Sequence, residues 1–565
     1  DFDLKATFRR RKGETFVERD EHGKAQVVVP AVVTDLVRRV AKEVDGDPRE
    51  MLRMFFKGLA LVGRGWTRAT DPCVVAHGVE YLAAAHVRSN GDLYPGVVVV
   101  ATQKRTYPYD ETACHVLGYM GSVSALEYAR WCGEYKGSVT KRFFPDDSIG
   151  RTGVERWYDK DMRPARGERV VEVDAARRTQ RELHVDPAVP GDTVVLTIDL
   201  DVQQSLEQAM GGLTGGAVFL EARTGKVIAM ASTPAYDPNE LPRPDPDPLA
   251  LYHPMLNRVT QVTRPPGSSF KLLVAVAALA EGKIFREVRC TGQYKSSVCR
   301  NHRVPMVVDL HDAIKRSCNV FFYRTGEELL KIDGIAKWGR AFGLGQPSGL
   351  DLPYERSGLL PTPEWKRREK NDGWYPGDTR NVCIGQGYLG VTPIQTSRMV
   401  AAIATGRLVR PRLLERLVHA DGTVTEPTGD TGIDLGLSRA HLLQVHRAMR
   451  GVCHEVGGTA RRAMEGWIEE QGYAIAAKTS TAVDTVRGQR GSNIGWFVGF
   501  APVHDPRVVF AVALEHAASE GNIHGGDVAA PLVRDILAAL PERYLDGIAG
   551  RELREQFRRG QEASP

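Results

Sequence analysis

Nine apolar residues, Leu272 to Ala280, run without a break and end at Glu281-Gly282. Directly before them stands Arg264-Pro265-Pro266-Gly267-Ser268-Ser269-Phe270-Lys271. Pro-Pro-Gly stops any helix or strand that precedes it. The apolar run is too short to cross a bilayer, which takes about 20 residues. The combination predicts a turn that launches a buried helix. Ser268 falls in the first turn, and Lys271, three positions on, shares its face. The positive end of the helix dipole favours negative charge on the Ser268 oxygen. An amine held in an apolar wall loses proton affinity and becomes available as a base. The chemistry this points to is a serine nucleophile activated by a lysine. The plainer alternative makes Ser268 an N-cap and Lys271 a solvated helix lysine. Ser-x-x-Lys is a weak pattern alone, and a second copy, Ser138-Val139-Thr140-Lys141, lies in a glycine-flanked, β-branched run with no helix start.

The rest of the chain supplies the context. Its 565 residues predict more than one domain. A net charge of +5 is small for this length and gives no argument for nucleic acid. Eight cysteines are too sparse for a disulfide scaffold. No signal peptide and no bilayer-length run is present. The first residue is Asp1, so a processed or truncated product that lacks an N-terminal membrane anchor is expected.

Residues 1–188 read as a mixed, irregular first region. It has amphipathic helices over 32–44 and 48–61, strands over 96–102 and 169–173, and a short helix opened by Gly150-Arg151-Thr152-Gly153. A boundary falls where Asp186-Pro187 and Val189-Pro190-Gly191 meet a new strand over 193–198. The second region spans 189–545. Hairpins are predicted around Arg223-Thr224-Gly225 and across Pro502 to Pro506, with helices between them. That order predicts an α/β domain, one antiparallel sheet with helices packed on it. Residues 346–382, dense in Pro, Gly, Trp and charge, read as a long functional loop. A charged tail occupies 546–565.

Two further motifs come after Ser268-x-x-Lys271 in order. They are Ser317-Cys318-Asn319 and, on a late strand, Lys478-Thr479-Ser480-Thr481. The set S-x-x-K, S-x-N, K-T-G resembles the penicillin-binding proteins and serine β-lactamases. Gly150-Arg151-Thr152-Gly153-Val154-Glu155-Arg156 is similar to the pedestal motif of the class B penicillin-binding proteins. Pro190-Gly191-Asp192 with Leu196-Thr197-Ile198-Asp199, and Asn257-Arg258, fit the same class. Trp374-Tyr375-Pro376-Gly377-Asp378-Thr379, Ile384-Gly385-Gln386-Gly387-Tyr388, and Tyr107-Pro108-Tyr109 with His115-Val116-Leu117-Gly118-Tyr119 resemble the elongation-type subgroup, penicillin-binding protein 2. The likeness spans roughly 90–540.

That resemblance implies a fold, an activity and a setting. The implied fold is an N-terminal pedestal or dimerisation-type domain, then a transpeptidase domain with a five-stranded antiparallel sheet, helices on both faces and an all-helical lobe. The implied activity is serine-type D-Ala-D-Ala transpeptidation of peptidoglycan in cell-wall elongation, with β-lactams acylating the same serine. By the same likeness Ser268 attacks, Lys271 takes its proton, and Ser317, held by Lys478, relays a proton to the leaving D-Ala. Asn319 binds the substrate amide and orients Lys271. Thr479 and Thr481 hold the donor carboxylate, and the Ser268 and Thr481 N–H groups form the oxyanion hole. The implied partners are stem peptides, a SEDS-type membrane glycosyltransferase and an elongation scaffold protein, on the outer side of a bacterial membrane. No cofactor is expected.

Ser480 stands where the family has glycine. A repacked wall with catalysis intact is the expectation, since its side chain alternates away from Thr479 and Thr481. A displaced strand, and hence a weakened scaffold of the cell-wall machinery, is the alternative. A penicillin sensor or β-lactamase fits less well, because a hydrolase needs no pedestal. Elongation-type relatives can carry a metal near Cys290, Cys299, His302 and Cys318, but Cys-x8-Cys-x2-His is not a standard zinc spacing. Buried free thiols are the expectation there.

Overall fold

The structure is a computed structural model, and it describes residues 2–6, 17–19, 25–27, 31–63, 73–101, 105–124, 126–128, 130, 147–174, 179–241, 253–427, 432–486, 489–515 and 525–545. The second Ser-x-x-Lys copy at 138–141 and the tail at 546–565 lie outside the described residues. The chain forms two compact units. One holds 1–108, 120–149 and 165–188, and the other 109–119, 150–164 and 189–565. Two segments of the first region in sequence therefore fold with the second unit. Among the described residues no helix is long and apolar enough to cross a membrane.

The first unit has its own core. Helices Ala31–Glu43 and Pro48–Gly63 match the amphipathic patterns, and they pack on each other. Val33, Leu36, Val37, Val40, Met51 and Phe55 are buried there with Val75 and Val87. Strands Cys73–Val79, Phe2–Ala6 and Val97–Ala101 form an antiparallel sheet in that order.

The second unit is built on a five-stranded sheet. Its strands are β1 Thr214–Glu221, β2 Val227–Thr233, β3 Ala476–Val486, β4 Gln489–Ala501 and β5 Val508–Glu515. The order is β2-β1-β5-β4-β3, antiparallel throughout. β2 is buried at every position and β5 at all but its last, so both sheet faces are covered. Helix α1, Leu200–Ala209, packs on β2; Pro393–Thr405 lies across β1, β4 and β5. Helix α2, Lys271–Ala280, is the predicted apolar run; it packs against Pro393–Thr405 and Arg439–His454. Lys271 through Leu279 are all buried, so the helix is central rather than amphipathic.

The 346–382 segment is not one long loop. It contains helices Pro363–Lys370 and Pro376–Cys383, each with proline in the first turn. Their charged sequence hides them from a periodicity reading. Tertiary contacts hold them: the Lys366 amine is buried, donates to Asp372 at 2.9 Å and Asp378 at 2.8 Å, and lies over the Tyr375 ring at 4.6 Å.

Candidate active site

Pro-Pro-Gly does not lead straight into the α-helix. Gly267–Phe270 makes a 3-10 turn, and α2 begins at Lys271. Gly267 takes φ +53°, a left-handed conformation that glycine adopts freely. Its N–H donates to the Gly385 carbonyl at 2.9 Å, and the buried Trp496 indole donates to the Pro265 carbonyl at 3.0 Å. The turn is thereby anchored from both sides. Ser268 is half-buried, so its hydroxyl remains within reach of solvent.

Lys271 is fully buried, which excludes the solvated-lysine reading. Its amine donates to Asn319 Oδ1 at 2.6 Å, the Ser317 carbonyl at 2.8 Å and Ser317 Oγ at 3.2 Å. The direct bond to Ser268 expected from i,i+3 spacing is not among these. Ser317 bridges instead: its hydroxyl donates to Ser268 Oγ at 2.9 Å. Burial pulls the Lys271 pKa down to about 8, against the weaker opposing pull of nearby thiols. The Phe322 ring lies 5.6 Å from the amine. Ser317 is held at φ +58°, unusual for a residue with a Cβ, and helix Asn319–Arg324 starts two residues on. The turn between Leu310–Lys315 and that helix thus projects both Ser317 and Asn319 toward Lys271.

The third motif lies on β3, the edge strand. Lys478, Thr479, Ser480 and Thr481 pair with Val498, Phe497, Trp496 and Gly495 of β4, and β3 also packs on the Gly267–Phe270 turn. Lys478 is fully buried and donates to the Thr479 carbonyl at 2.9 Å; the expected bond to Ser317 is not among its hydrogen bonds. Burial, then the positive charge of Lys271, holds its pKa well below the usual lysine value. Thr479 Oγ1 meets Thr459 Oγ1 at 2.5 Å. Thr459 belongs to none of the three motifs. Its one signal in the sequence is Gly457-Gly458, a glycine-opened turn beside an otherwise helical stretch.

Residues 215–538 match the model of the penicillin binding protein transpeptidase domain, and residues 11–196 match that of the penicillin-binding protein dimerisation domain. The chain belongs to the penicillin-binding protein transpeptidase family. Among curated relatives, the peptidoglycan D,D-transpeptidase MrdA of Salmonella typhimurium is 31% identical, with 84% of this chain and 78% of the relative covered. The namesake of Escherichia coli K12 is 30% identical, with 79% and 72% covered. A Pseudomonas aeruginosa PBP2 solved in complex with WCK 5153 superposes with a TM-score of 0.64 at 31% identity, over 80% of this chain and 95% of that one. A PBP2 from Helicobacter pylori, solved in complex with MreC, reaches 0.74 over 96% and 99%; at 22% identity it speaks for the fold.

For a penicillin-binding protein, Ser480 is the anomaly, and its surroundings absorb it. The Ser480 side chain turns toward Gly267: a Cβ built on Gly267 would collide with Ser480 Oγ. The wall is repacked and β3 keeps its full pairing through 480 and 481. The cost is a buried hydroxyl with no hydrogen-bond partner.

The cysteine-rich arm ahead of Ser317 also converges. Val288–Cys290 pairs with Met306–Val308, folding the intervening residues back on themselves. Ligand atoms of Cys290, Cys299, His302 and Cys318 come within 4.8 Å of one another. Cys299 accepts from the Cys318 thiol and from the Asn301, Asn319 and Val320 N–H groups, which hold its pKa low. His302 Nδ1 lies 2.9 Å from the Arg303 carbonyl, which leaves Nε2 turned to Cys299 at 3.7 Å. Spacing argued for free thiols, because it assumes ligands from one tight knuckle. Three sulfurs and an imidazole drawn from an arm and a neighbouring helix turn fit a closed zinc site.

Proposed function

We propose that this chain is a peptidoglycan D,D-transpeptidase of the elongation type, acting through a Ser268 acyl-enzyme. The observation that carries this is the hydrogen-bonded line from buried Lys271 through Ser317 to the half-exposed Ser268 hydroxyl. With Lys271 neutral, the Ser268 proton passes to Ser317 Oγ as Ser317 gives its own to the amine. Ser268 Oγ then bonds to the penultimate D-Ala carbonyl carbon. The Ser268 and Thr481 N–H groups stabilise the tetrahedral oxyanion, a contribution of several kcal/mol in such sites, about 2.7–4 per donor. Collapse expels D-Ala, whose amine takes the proton back through Ser317. Thr479 and Thr481 bind the donor carboxylate and Asn319 the peptide amide. An amine of a neighbouring stem peptide attacks the acyl carbonyl, frees Ser268 and completes the cross-link.

Cys290, Cys299, His302 and Cys318 would hold zinc, whose contribution is structural, tying the arm to the turn that carries Ser317. The site belongs on the outer face of a bacterial cell membrane, with a SEDS-type glycosyltransferase and an elongation scaffold as partners. A catalytically weakened scaffold is the second reading, motivated by the unpartnered Ser480 hydroxyl. Intact mass after exposure to benzylpenicillin separates the two. A stoichiometric adduct that vanishes in Ser268→Ala supports the enzyme; no adduct on the unaltered chain removes it.

A further inference from the structure

Both oxygen atoms that best hold the Lys271 amine are shared with a residue outside the three motifs. Asn301 Nδ2 donates to the Ser317 carbonyl at 2.5 Å and lies 3.3 Å from Asn319 Oδ1. Lys271 approaches the same two oxygens at 2.8 and 2.6 Å. One carboxamide thus spans the first and last residues of Ser317-Cys318-Asn319. Ser317 needs such support. Its left-handed φ of +58° is sterically unfavourable for a residue with a Cβ. Relaxation of that peptide would rotate the side chain and carry Ser317 Oγ away from Ser268.

We propose that Asn301 is a positioning residue for the Ser268 acylation step, clamping Ser317 in the one backbone conformation that puts its hydroxyl on Ser268. The inference rests on the transpeptidase reading for its kinetic consequence but not for its geometry. Asn301 is exposed and contributes little to the apolar core, so packing does not explain its placement. It also stands between Cys299 and His302. Whatever closes the Cys290, Cys299, His302 and Cys318 set therefore fixes the clamp as well. A second side-chain contact of the motif with the arm, Asn319 Nδ2 donating to the Val298 carbonyl at 3.3 Å, orients Asn319 but leaves Ser317 untouched.

The test compares the unaltered chain with Asn301→Ala, which removes the clamp, and Asn301→Asp, which keeps its shape but not its donors. Stopped-flow acylation by a fluorescent penicillin separates initial affinity from the first-order acylation rate. Both variants are expected to lose at least tenfold in that rate, with initial affinity within threefold and melting temperature within 3 °C. Acylation within twofold of the unaltered chain in either variant overturns the proposal, as does an equal loss in affinity. Crystal structures of the variants read the clamp without any turnover. Ser317 Oγ is expected beyond 3.5 Å from Ser268 Oγ, and an unmoved Ser317 overturns the proposal even if the unaltered chain proves inert to penicillin. That inertness would instead count against the transpeptidase reading.

Discussion

Ser480 Oγ occupies the space that a Cβ on Gly267 would fill. The two positions are complementary: a side chain on the strand is tolerated because the turn has none. The missing glycine of the third motif and the glycine before Ser268 are therefore one packing problem, solved from the other side of the contact.

That complementarity predicts opposite outcomes for two small substitutions. Ser480→Ala removes a buried, unpartnered hydroxyl. It should stabilise the chain by about 1–2 kcal/mol and leave acylation intact. Gly267→Ala adds a Cβ against Ser480 at a positive φ, and should destabilise while abolishing acylation. Chemical denaturation and penicillin labelling check both. A stability loss in Ser480→Ala would show that the hydroxyl has a partner after all.

The buried Lys271 amine sets a pH requirement. With its pKa near 8, the neutral base becomes the major form as pH rises through that value. Acylation should climb from pH 6 and level off above 9, and Lys271→Ala should lose about 10²–10⁴-fold. The same shift bears on stability. Folded Lys271 releases its proton near 8, whereas an unfolded lysine holds it to about 10.5. Across that window the unfolded chain binds more protons, so this group makes stability rise with pH. A flat acylation profile from pH 6 to 9 would contradict the assignment of Lys271 as base.

Trp496 ties the turn to the sheet through its indole bond to the Pro265 carbonyl. Trp496→Phe leaves that carbonyl buried and unmet, at a cost of about 1–3 kcal/mol. The melting temperature should fall, and acylation should slow as Ser268 loses its fixed position. Unchanged values for both would mean that the Gly267–Gly385 contact suffices alone.

The thiol and imidazole cluster predicts about one zinc per chain in protein purified without added metal. Dialysis against a strong chelator should lower the melting temperature, and Cys290→Ser should lower the zinc content. Full thermal stability with no bound metal would return these residues to buried free thiols. Elemental analysis paired with thermal melting reads both outcomes.

Much of this protein was legible along the chain, because the signals were local. Pro-Pro-Gly and nine unbroken apolar residues announce a turn and a buried helix. Arg223-Thr224-Gly225 and Pro502 to Pro506 announce hairpins, and alternation on β3 places Thr479 and Thr481 on one face. The three motifs by themselves point to the family. The helices over 363–370 and 376–383 were not legible, since charged sequence with no apolar stripe becomes helical only when Lys366 is enclosed by two carboxylates and an aromatic ring.

Tertiary structure alone decided what touches what at the site. Spacing put Ser268 beside Lys271, but the fold interposes Ser317, because Lys271 is drawn to acceptors that arrive from 46 and 48 positions away. It also turned Ser480 toward a glycine 213 positions before it and gathered cysteines that spacing had kept apart. The reason is physical: propensity and pattern act over a few residues, whereas the burial of an amine and the satisfaction of its three donors depend on where distant backbone returns.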